Sequence, residues 1–315
     1  MDAKKKSANI ASTAKVLTIT NYETMETAVE VIDIGAPKVG EVRVQAIYAC
    51  MARESIWRTI GNQVGDCYLG VVTAVGNSVF SLAVDDLVLC LGAAGGIIQS
   101  HMNVKSRLVI KIPRNLPKAK YMLSLASPCA LAEVIFGDLM QQSVPGEVIF
   151  DSVDSEFSRS LAIFLENLGI KMYLVDSMRK DFLGAATYKT VEDIDSDLAQ
   201  KNGSVGCIIT DKNSVSDYAN YLVARGLLIN FNTVFEPDFM KDIIKMECFY
   251  GYAAVEGCVD IEGFLLRVYL ALENFTDHPY VPEVPEISIK KLQQILHNDD
   301  IEEQYNFIIR MDELY

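Results

Sequence analysis

The segment that decides the fold runs from Gly146 to Asp176 and reads GEVIFDSVDSEFSRSLAIFLENLGIKMYLVD. Val148–Phe150 is a short apolar run typical of a buried parallel strand, and the serines that follow it supply turn and N-cap side chains. A helix is predicted next, because apolar residues at spacings of four, three, one and three share one helical face: Phe157, Leu161, Phe164, Leu165 and Leu168. Gly169 ends this helix before a second strand at 171–175. The pattern predicts a βαβ unit, the topology of a dinucleotide-binding site.

The turn between the first strand and the helix lacks the residues that such sites use. Dinucleotide-binding turns carry glycines, which let the backbone approach a pyrophosphate at the helix N-terminus. No glycine lies between Gly146 and Gly169, and Asp154 and Glu156 stand where phosphate oxygens would lie. At about 4 Å and an effective dielectric near 20, one carboxylate–phosphate repulsion costs roughly 4 kcal/mol, about a thousandfold in affinity. The sequence predicts an element that folds but does not bind; the alternative is that a cofactor enters differently and the acids point to solvent.

Composition and charge restrict the class of protein. A chain of 315 residues, 50% hydrophobic and 22% charged, can bury a large core in about two domains. The net charge of -14 argues against nucleic acid or an anionic membrane as a partner, because both need basic faces. Seven singly scattered cysteines predict no disulfide framework and indicate a reducing compartment. No signal-peptide pattern follows Lys4–Lys6, and the apolar run at 87–98 is too short to span a bilayer, so we expect a cytoplasmic protein.

Short β-type runs precede the βαβ unit, and strand–helix alternation follows it. The early runs predict a small β-barrel or sandwich: 16–20, 29–34, 42–49, 70–75, 87–91 and 108–112. An Ala-rich helix over 121–142 then leads to the βαβ unit. The later strands are predicted at 206–210, 227–230 and 248–252, with helices over 215–222 and 239–246 between them. Such alternation predicts a parallel sheet with helices on both faces.

The remaining segments predict two domains that are discontinuous in sequence. A helix over 261–272 is followed by Pro279, Pro282 and Pro285, which mark an extended return, and then by a helix at 288–297 and a strand at 305–310. We therefore expect a barrel domain of residues 1–127 and 262–315, and a parallel-sheet domain of residues 128–261. The fold class predicted is α/β, with a β-barrel joined to a doubly wound parallel sheet.

Barrel first, doubly wound sheet second and a short return last is the order of the medium-chain dehydrogenase/reductase superfamily. Several segments resemble motifs of that superfamily: GEVRV at 40–44, GVVTAVG at 70–76, VDDLV at 84–88, GG at 95–96, VIKIP at 109–113 and PGE at 145–147. Their order and spacing are most similar to the enoyl reductase domain of fatty acid and polyketide synthases. The resemblance implies a GroES-like barrel, a Rossmann-type sheet, NADPH as cofactor and an enoyl thioester as substrate.

The departures from this resemblance fall on the positions that it assigns to cofactor and substrate. The A-G-G-V-G turn of the family falls on 154–158, so the three expected glycines are Ser155, Glu156 and Ser158. The substrate loop, roughly L-N-[FY]-R-D in synthase enoyl reductases, keeps the basic–acidic pair as Arg53 and Glu54. Ala52 stands where the aromatic residue, a proposed proton donor when it is tyrosine, would be.

Two further groups of residues resemble family sites. Asp176 stands where an acid binds a ribose hydroxyl, and Ser177, Arg179 and Lys180 resemble a 2′-phosphate pocket, although a solvated helix start explains the two basic residues more simply. Zinc members carry G-H-E, which is replaced here by GDC at 65–67. Cys50, Cys67 and Asp66 could meet in space, but no histidine lies near them in sequence, so we expect no metal site.

Three functions remain open from the sequence. The first is a non-catalytic (pseudo) enoyl reductase domain with a structural or scaffolding role in a fatty acid or polyketide synthase-like system, for which no cofactor is expected. The second is an active NADPH-dependent enoyl thioester or quinone-type reductase, in which Arg53 and Glu54 border the substrate and Asp211 or Tyr68 supplies the proton. The third is a module that binds a small molecule or a protein in its cleft.

The resemblance also implies a homodimer. Enoyl reductase domains of this kind commonly pair through the edge of the cofactor sheet, and the corresponding segment, residues around 247–257, carries aromatic and β-favouring residues without proline or lysine. We therefore expect a two-fold dimer there; the alternative is that a helix of the same chain covers this edge. Other synthase domains or an acyl carrier are further partners that the resemblance allows.

Overall fold

The computed structural model describes residues 12–21, 24, 26–52, 67–91, 98–114, 119–142, 146–151, 156–175, 186–188, 192–194, 205–210, 221–230, 261–275, 284–297 and 306–314. The chain divides into two compact units. The first unit comprises Met1–Ser124 and Glu283–Tyr315, and the second unit comprises Leu125–Pro282.

The described strands are β1 (Thr13–Asn21), β2 (Glu26–Asp33), β3 (Glu41–Ala52), β4 (Cys67–Val75), β5 (Leu87–Leu91), β6 (His101–Lys105), β7 (Val109–Ile112), β8 (Glu147–Asp151), β9 (Lys171–Val175), β10 (Ala186–Tyr188), β11 (Val205–Thr210), β12 (Leu222–Asn230), β13 (Glu286–Ser288) and β14 (Asn306–Arg310). The described α-helices are α1 (Ala119–Gln142), α2 (Glu156–Asn167), α3 (Ile261–Phe275) and α4 (Ile289–His297).

The first unit contains two sheets that a short segment joins. One sheet has the strand order β13-β14-β3-β4-β5-β7, with β6 also paired to β3, and the other is the β1–β2 pair. The joining segment is 98–100: the Leu17 amide donates to the Ile98 carbonyl at 2.8 Å, and the Ala46 amide donates to the Ser100 carbonyl at 2.9 Å. Backbone hydrogen bonds therefore continue from β1 through this segment to β3.

Two glycines of the GVVTAVG segment stand where another chain segment passes close by. A Cβ on Gly76 would collide with the backbone carbonyl oxygen of Lys38, and a Cβ on Gly70 would collide with that of Gln45. Backbone atoms cannot move aside as a flexible side chain can, so these positions admit only glycine at this spacing.

The strand predicted at 305–310 is present as β14 and returns to the first unit. It pairs antiparallel with β3, where Ile308 lies opposite Cys50, and parallel with β13. Phe307, Ile308 and Ile309 are all buried. The end of the chain therefore contributes a core strand to a sheet that begins near residue 41.

The second unit is built on a parallel sheet with the order β10-β9-β8-β11-β12. In chain order this is 3-2-1-4-5, the doubly wound arrangement, and the order reverses between β8 and β11. The central strands are buried on both faces, since both odd and even positions of β8, β9 and β11 are inaccessible, and this explains their nearly continuous apolar sequences.

Helix α2 ends as the sequence predicts. The Gly169 amide donates to the Glu166 carbonyl at 2.8 Å, and the Ile170 amide donates to the Leu165 carbonyl at 3.0 Å. Gly169 has φ +77°. Leu165 and Ile170 are both buried. These bonds form a Schellman motif, which satisfies carbonyls that a helix end otherwise leaves without partners.

Helix α3 corrects the predicted domain boundary. Residues 262–315 are predicted from the sequence to belong to the barrel domain, but α3 lies in the second unit. There the Arg267 Nε donates to Glu133 Oε2 of α1 at 2.9 Å. The ring centroids of Phe275 and of Phe164 in α2 are 4.7 Å apart. The apolar face of α3 is buried against helices of its own unit, so the return to the first unit begins after this helix.

Helix α1 contains the described segment that is long and apolar enough to cross a membrane, Met122–Gln141. However, most of that segment is buried inside the protein. Cys129 Sγ in this helix donates to the Val268 carbonyl at 3.8 Å. A buried core helix can meet the same criteria of length and composition as a membrane span. The apolar sequence of α1 is therefore explained by its packing against α3.

Strand β12 begins earlier than the sequence predicts. Leu222 was expected to end a helix, but it is the first residue of β12, and its partner is Val205. The next paired residues are Cys207 and Leu227, so β12 carries extra residues at this point. This irregularity breaks the period of two by which a strand is recognised. Residues 215–220 of that predicted helix, the predicted helix at 239–246 and the predicted strand at 248–252 lie outside the described residues.

Candidate cofactor site

The order of the parallel sheet places the candidate site at the carboxyl ends of β8 and β11. Ligands of doubly wound sheets bind where the strand order reverses, outside these ends. Here the last residues of the two strands, Asp151 and Thr210, lie opposite each other in register. Asp151 is 3% exposed and Thr210 is fully buried. A buried carboxyl group therefore occupies the strand end from which the chain enters the turn.

Helix α2 begins at Glu156, directly after this turn. Phe157 and Leu161, one turn apart, are buried and fix the apolar face of the helix. Ser158, which stands where the resemblance expects a third glycine, is only 1% exposed. In dinucleotide-binding turns the third glycine allows the helix to pack closely on the strand. In this chain a serine side chain occupies buried space at that position.

The described residues on either side of this turn differ from those of a pyrophosphate site. A pyrophosphate site needs close backbone approach and donors at the helix N-terminus. The sequence from Asp151 to Ser158 has no glycine, and it places a carboxylate residue at the end of β8 and another at the first position of α2. Residues 152–155, which include Ser155, lie outside the described residues.

Of the residues that an active reductase would use on its substrate side, Tyr68 lies in the described part of the chain. Tyr68 lies in β4, opposite Ala49 of β3 and Cys90 of β5, and is fully buried. The other candidate residues lie outside the described part of the chain: Arg53, Glu54, Asp176, Ser177, Arg179, Lys180 and Asp211. The predicted dimer segment 247–257 also lies outside it.

The two cysteines that the sequence analysis considered as metal ligands do come together. Cys50 of β3 and Cys67 of β4 are partners in the antiparallel register. Their third candidate, Asp66, lies outside the described residues. Within the described part, no group of three histidine, cysteine or acidic residues is arranged to hold a metal ion.

Two polar clusters that the sequence analysis missed serve the fold. At the amino ends of β8 and β9, Lys171 Nζ donates to Tyr173 Oη at 2.9 Å, and Tyr173 Oη donates to Glu147 Oε2 at 3.1 Å. This cluster lies at the opposite end of the sheet from the candidate site. Between α1 and α3, Glu133 is 4% exposed and pairs with Arg267, whose side chain is half exposed.

The cysteine beside that ion pair is kept as a thiol by its surroundings. Cys129 is buried, and burial, followed by the negative charge of Glu133, raises its pKa well above the usual value. A thiol with a raised pKa is a poor nucleophile, because the thiolate is the reactive form. Cys129 is therefore not expected to act as a nucleophile.

The sequence comparisons found no family model and no curated protein that matches this chain. Comparison with solved structures found strong similarity in fold. The enoyl reductase of CurK matches with a TM-score of 0.68 at 12% identity, over 94% of this chain and 99% of that one. A Mesorhizobium loti protein assigned as an NADPH:quinone reductase matches with a TM-score of 0.69 at 14% identity, over 96% of this chain and 100% of that one.

A third match comes from a structure that contains the cofactor. CAD from Helicobacter pylori, complexed with NADP(H), matches with a TM-score of 0.62 at 13% identity, over 96% of this chain and 99% of that one. Similarity over nearly the whole length of each structure covers both units and their order along the chain. This chain therefore has the medium-chain dehydrogenase/reductase fold, a GroES-like β-barrel followed by a Rossmann-type doubly wound parallel sheet.

Proposed function

We propose that this chain is a non-catalytic protein with an enoyl reductase-like fold, which keeps that fold for a structural or scaffolding role in a fatty acid or polyketide synthase-like system and binds no nicotinamide nucleotide. The connection from β8 to α2 is the observation that carries the proposal. It has no glycine, it follows the buried Asp151, and it leads into a helix whose third residue, Ser158, is buried.

The electrostatics of this connection support the proposal. A helix N-terminus attracts an anion with roughly half a unit of positive charge. Carboxylates at Asp154 and Glu156, by their place in the sequence, oppose that attraction. One carboxylate about 4 Å from a phosphate oxygen costs roughly 4 kcal/mol at an effective dielectric of 20, which exceeds the gain of about 1 kcal/mol from the helix dipole. The net effect on a pyrophosphate is repulsion.

The residues on the substrate side support the same proposal. Ala52, at the end of β3, stands where an aromatic proton donor would be, and an alanine side chain has no proton to donate. Tyr68 could donate a proton chemically, but its side chain is fully buried, and the residue lies in β4 between β3 and β5. Proton transfer requires hydrogen-bond reach to the reacting atom. Asp211 is then the remaining candidate for that role.

An active reductase is the second candidate, and the fold itself favours it. The Helicobacter pylori protein of the same fold holds NADP(H). In this alternative the chain reduces an enoyl thioester or a quinone-type substrate with NADPH bound in an unusual position. Arg53 and Glu54 border the substrate, and Asp211 or Tyr68 supplies the proton.

The scaffolding role includes partners. We propose a two-fold homodimer through residues around 247–257. In this dimer the edge strand of one protomer's parallel sheet pairs with the same strand of its partner. The sequence of this segment supports the dimer, since it has β-favouring residues and no proline or lysine to block edge pairing. Other synthase domains or an acyl carrier are the partners that such a scaffold would serve.

Restoring the glycines tests the proposed cause. The variant Ser155→Gly/Glu156→Gly/Ser158→Gly is titrated with NADPH, and nicotinamide fluorescence is recorded beside the wild type. We expect no response from the wild type and measurable binding by the variant. Glu166→Gln is the matched control, because it removes one charge from the same helix about 15 Å further along and should leave the wild-type behaviour unchanged. Binding by the wild type with a micromolar Kd would favour the active reductase instead.

A further inference from the structure

Cys50 and Cys67 form a cross-strand pair of cysteines in the first unit. Both are thiols, and they lie opposite each other in the antiparallel register of β3 and β4. Cys50 is 5% exposed and Cys67 is 1% exposed. Residues opposite each other on paired strands project their side chains from the same face of the sheet. The two sulfur atoms therefore lie on one side of the sheet, on neighbouring strands.

The spacing of this pair suits a disulfide bond. Opposed residues of antiparallel strands have Cα atoms about 4.5 Å or about 5.5 Å apart, depending on their place in the hydrogen-bond ladder. Disulfides join residues whose Cα atoms are roughly 4.4 to 6.8 Å apart. Either place in the ladder therefore gives a Cα spacing that a disulfide accepts. The Cβ atoms of opposed residues lie about 4.5 to 5.5 Å apart, and a disulfide needs about 3.5 to 4.5 Å, so a small local approach of the two residues closes the bond.

The third cysteine of this sheet does not compete for the bond. Cys90 of β5 lies opposite Tyr68, whereas Cys67 lies opposite Leu91. Cys67 and Cys90 are therefore one position apart along the ladder and project from opposite faces. Cys90 is also fully buried, and burial, followed by the neighbouring Cys67, raises its pKa far above the usual value. Of the described cysteines, Cys129 and Cys207 belong to the second unit.

We propose that Cys50 and Cys67 are a redox-sensitive pair, which a peroxide converts to a disulfide and a thiol reductant restores. In the first step the thiol of Cys50, the more exposed of the two, gives up its proton, and the thiolate attacks hydrogen peroxide. The O–O bond breaks, a sulfenic acid forms, and the leaving hydroxide takes up the proton and departs as one water. In the second step the Cys67 sulfur attacks the Cys50 sulfur, the S–S bond forms and a second water leaves. The thiols lose two electrons and two protons, and the peroxide is reduced to two waters.

The bond would join the two ends of one specific segment. Cys50 and Cys67 flank residues 51–66, which include Arg53 and Glu54, the residues that the resemblance assigns to the substrate loop. Closing this segment into a covalent loop reduces the conformations available to it. Reversible disulfides of proteins in reducing compartments are typically sensing or catalytic rather than structural. The inference rests on the register of β3 and β4, not on the proposed function, and it holds for an active enzyme as well.

The test is to map the cysteines of the full chain after oxidation. The protein is treated with hydrogen peroxide, its remaining thiols are alkylated under denaturing conditions, and digestion with trypsin and chymotrypsin identifies the linked peptides. We expect a Cys50–Cys67 link that dithiothreitol removes, with Cys90 alkylated throughout.

Single substitutions sharpen the result. Cys50→Ser and Cys67→Ser should each abolish the link, and Cys90→Ser, the matched control, should form it as the wild type does. Alkylation of both Cys50 and Cys67 after oxidation of the wild type overturns the proposal, as does a link that joins either of them to another cysteine. Because the wild-type map decides the matter alone, the test stands even if a serine variant fails to fold.

Discussion

The two ends of helix α2 differ in whether they contain glycine. At the C-terminal end, Gly169 adopts φ +77° and completes a Schellman motif before β9. At the N-terminal end, where a dinucleotide-binding turn needs glycines, the chain has Ser155, Glu156 and Ser158. The first end serves the fold, and the second serves a ligand in proteins that bind one. The chain thus has a glycine at the end of this helix and none between Asp151 and Ser158, at its start.

The first unit also has glycines at positions where the fold requires them. Gly70 and Gly76 stand where a Cβ would strike a backbone carbonyl, so the packing of β3, β4 and the loop before β3 depends on them. Glycine is thus present at the positions where chain segments approach each other closely. Glycine is therefore present where the packing of the first unit requires it, whereas the start of α2 has none.

The largest expected effect is at Gly76. Gly76→Ala places a Cβ against the Lys38 carbonyl oxygen, and we expect the free energy of unfolding to fall by about 3 kcal/mol or to see no soluble protein at all. Gly137→Ala in α1 is the matched control, since a Cβ there meets no atom within 4 Å and alanine favours a helix by up to about 1 kcal/mol. Urea unfolding measures both. Equal stability of the two variants would show that Gly76 is not sterically required.

A smaller loss is expected at the C-terminal end of α2. Gly169→Ala forces a residue with a Cβ into the left-handed region, and we expect unfolding to become easier by about 1 kcal/mol. Gly169→Asn should lose less, because asparagine tolerates that conformation better. Thermal unfolding of both variants beside the wild type checks this order. If alanine is tolerated as well as asparagine, Gly169 is dispensable and the contrast between the helix ends is lost.

Most of the fold was accessible from the sequence, because its main elements carry strong periodic patterns. Strands β8 and β9, helix α2 and the glycine that ends it follow from spacing alone, and β14 follows from a short apolar run near the end of the chain. The short strands β10 and β13 were missed. Three residues are too few for a period of two to be recognised, and pairing with a neighbour defines such strands.

The candidate site was accessible only in part. The absence of glycine is a property of the sequence, but the burial of Asp151 and Ser158 is not, since Asp and Ser in a turn ordinarily indicate exposure. Likewise, the pairing of Cys50 with Cys67 depends on the register of two strands that are separated by residues 53–66. The boundary near 262 was misplaced because an amphipathic helix such as α3 shows that it packs against something, but not against what.

The smallest of these stability effects is expected at the N-terminal end of α2. Ser158→Gly removes a buried side chain and lowers helix propensity, so we expect a loss of about 0.5 to 1 kcal/mol. The measurement is urea unfolding, with Ser158→Ala as the control that keeps the Cβ. A gain in stability with glycine would mean that Ser158 strains the start of the helix. The idea that this serine stabilises the fold would then be wrong.

Thermal unfolding of the wild-type chain with and without NADPH tests the central claim most directly. A Kd below about 100 μM would raise the free energy of unfolding by more than about 1 kcal/mol at millimolar NADPH, and Tm by roughly 2 °C or more. We expect no change in Tm at that concentration, because the start of α2 lacks the glycines of a pyrophosphate site and carries acidic residues that would repel a pyrophosphate. A rise in Tm that saturates with NADPH concentration would contradict it.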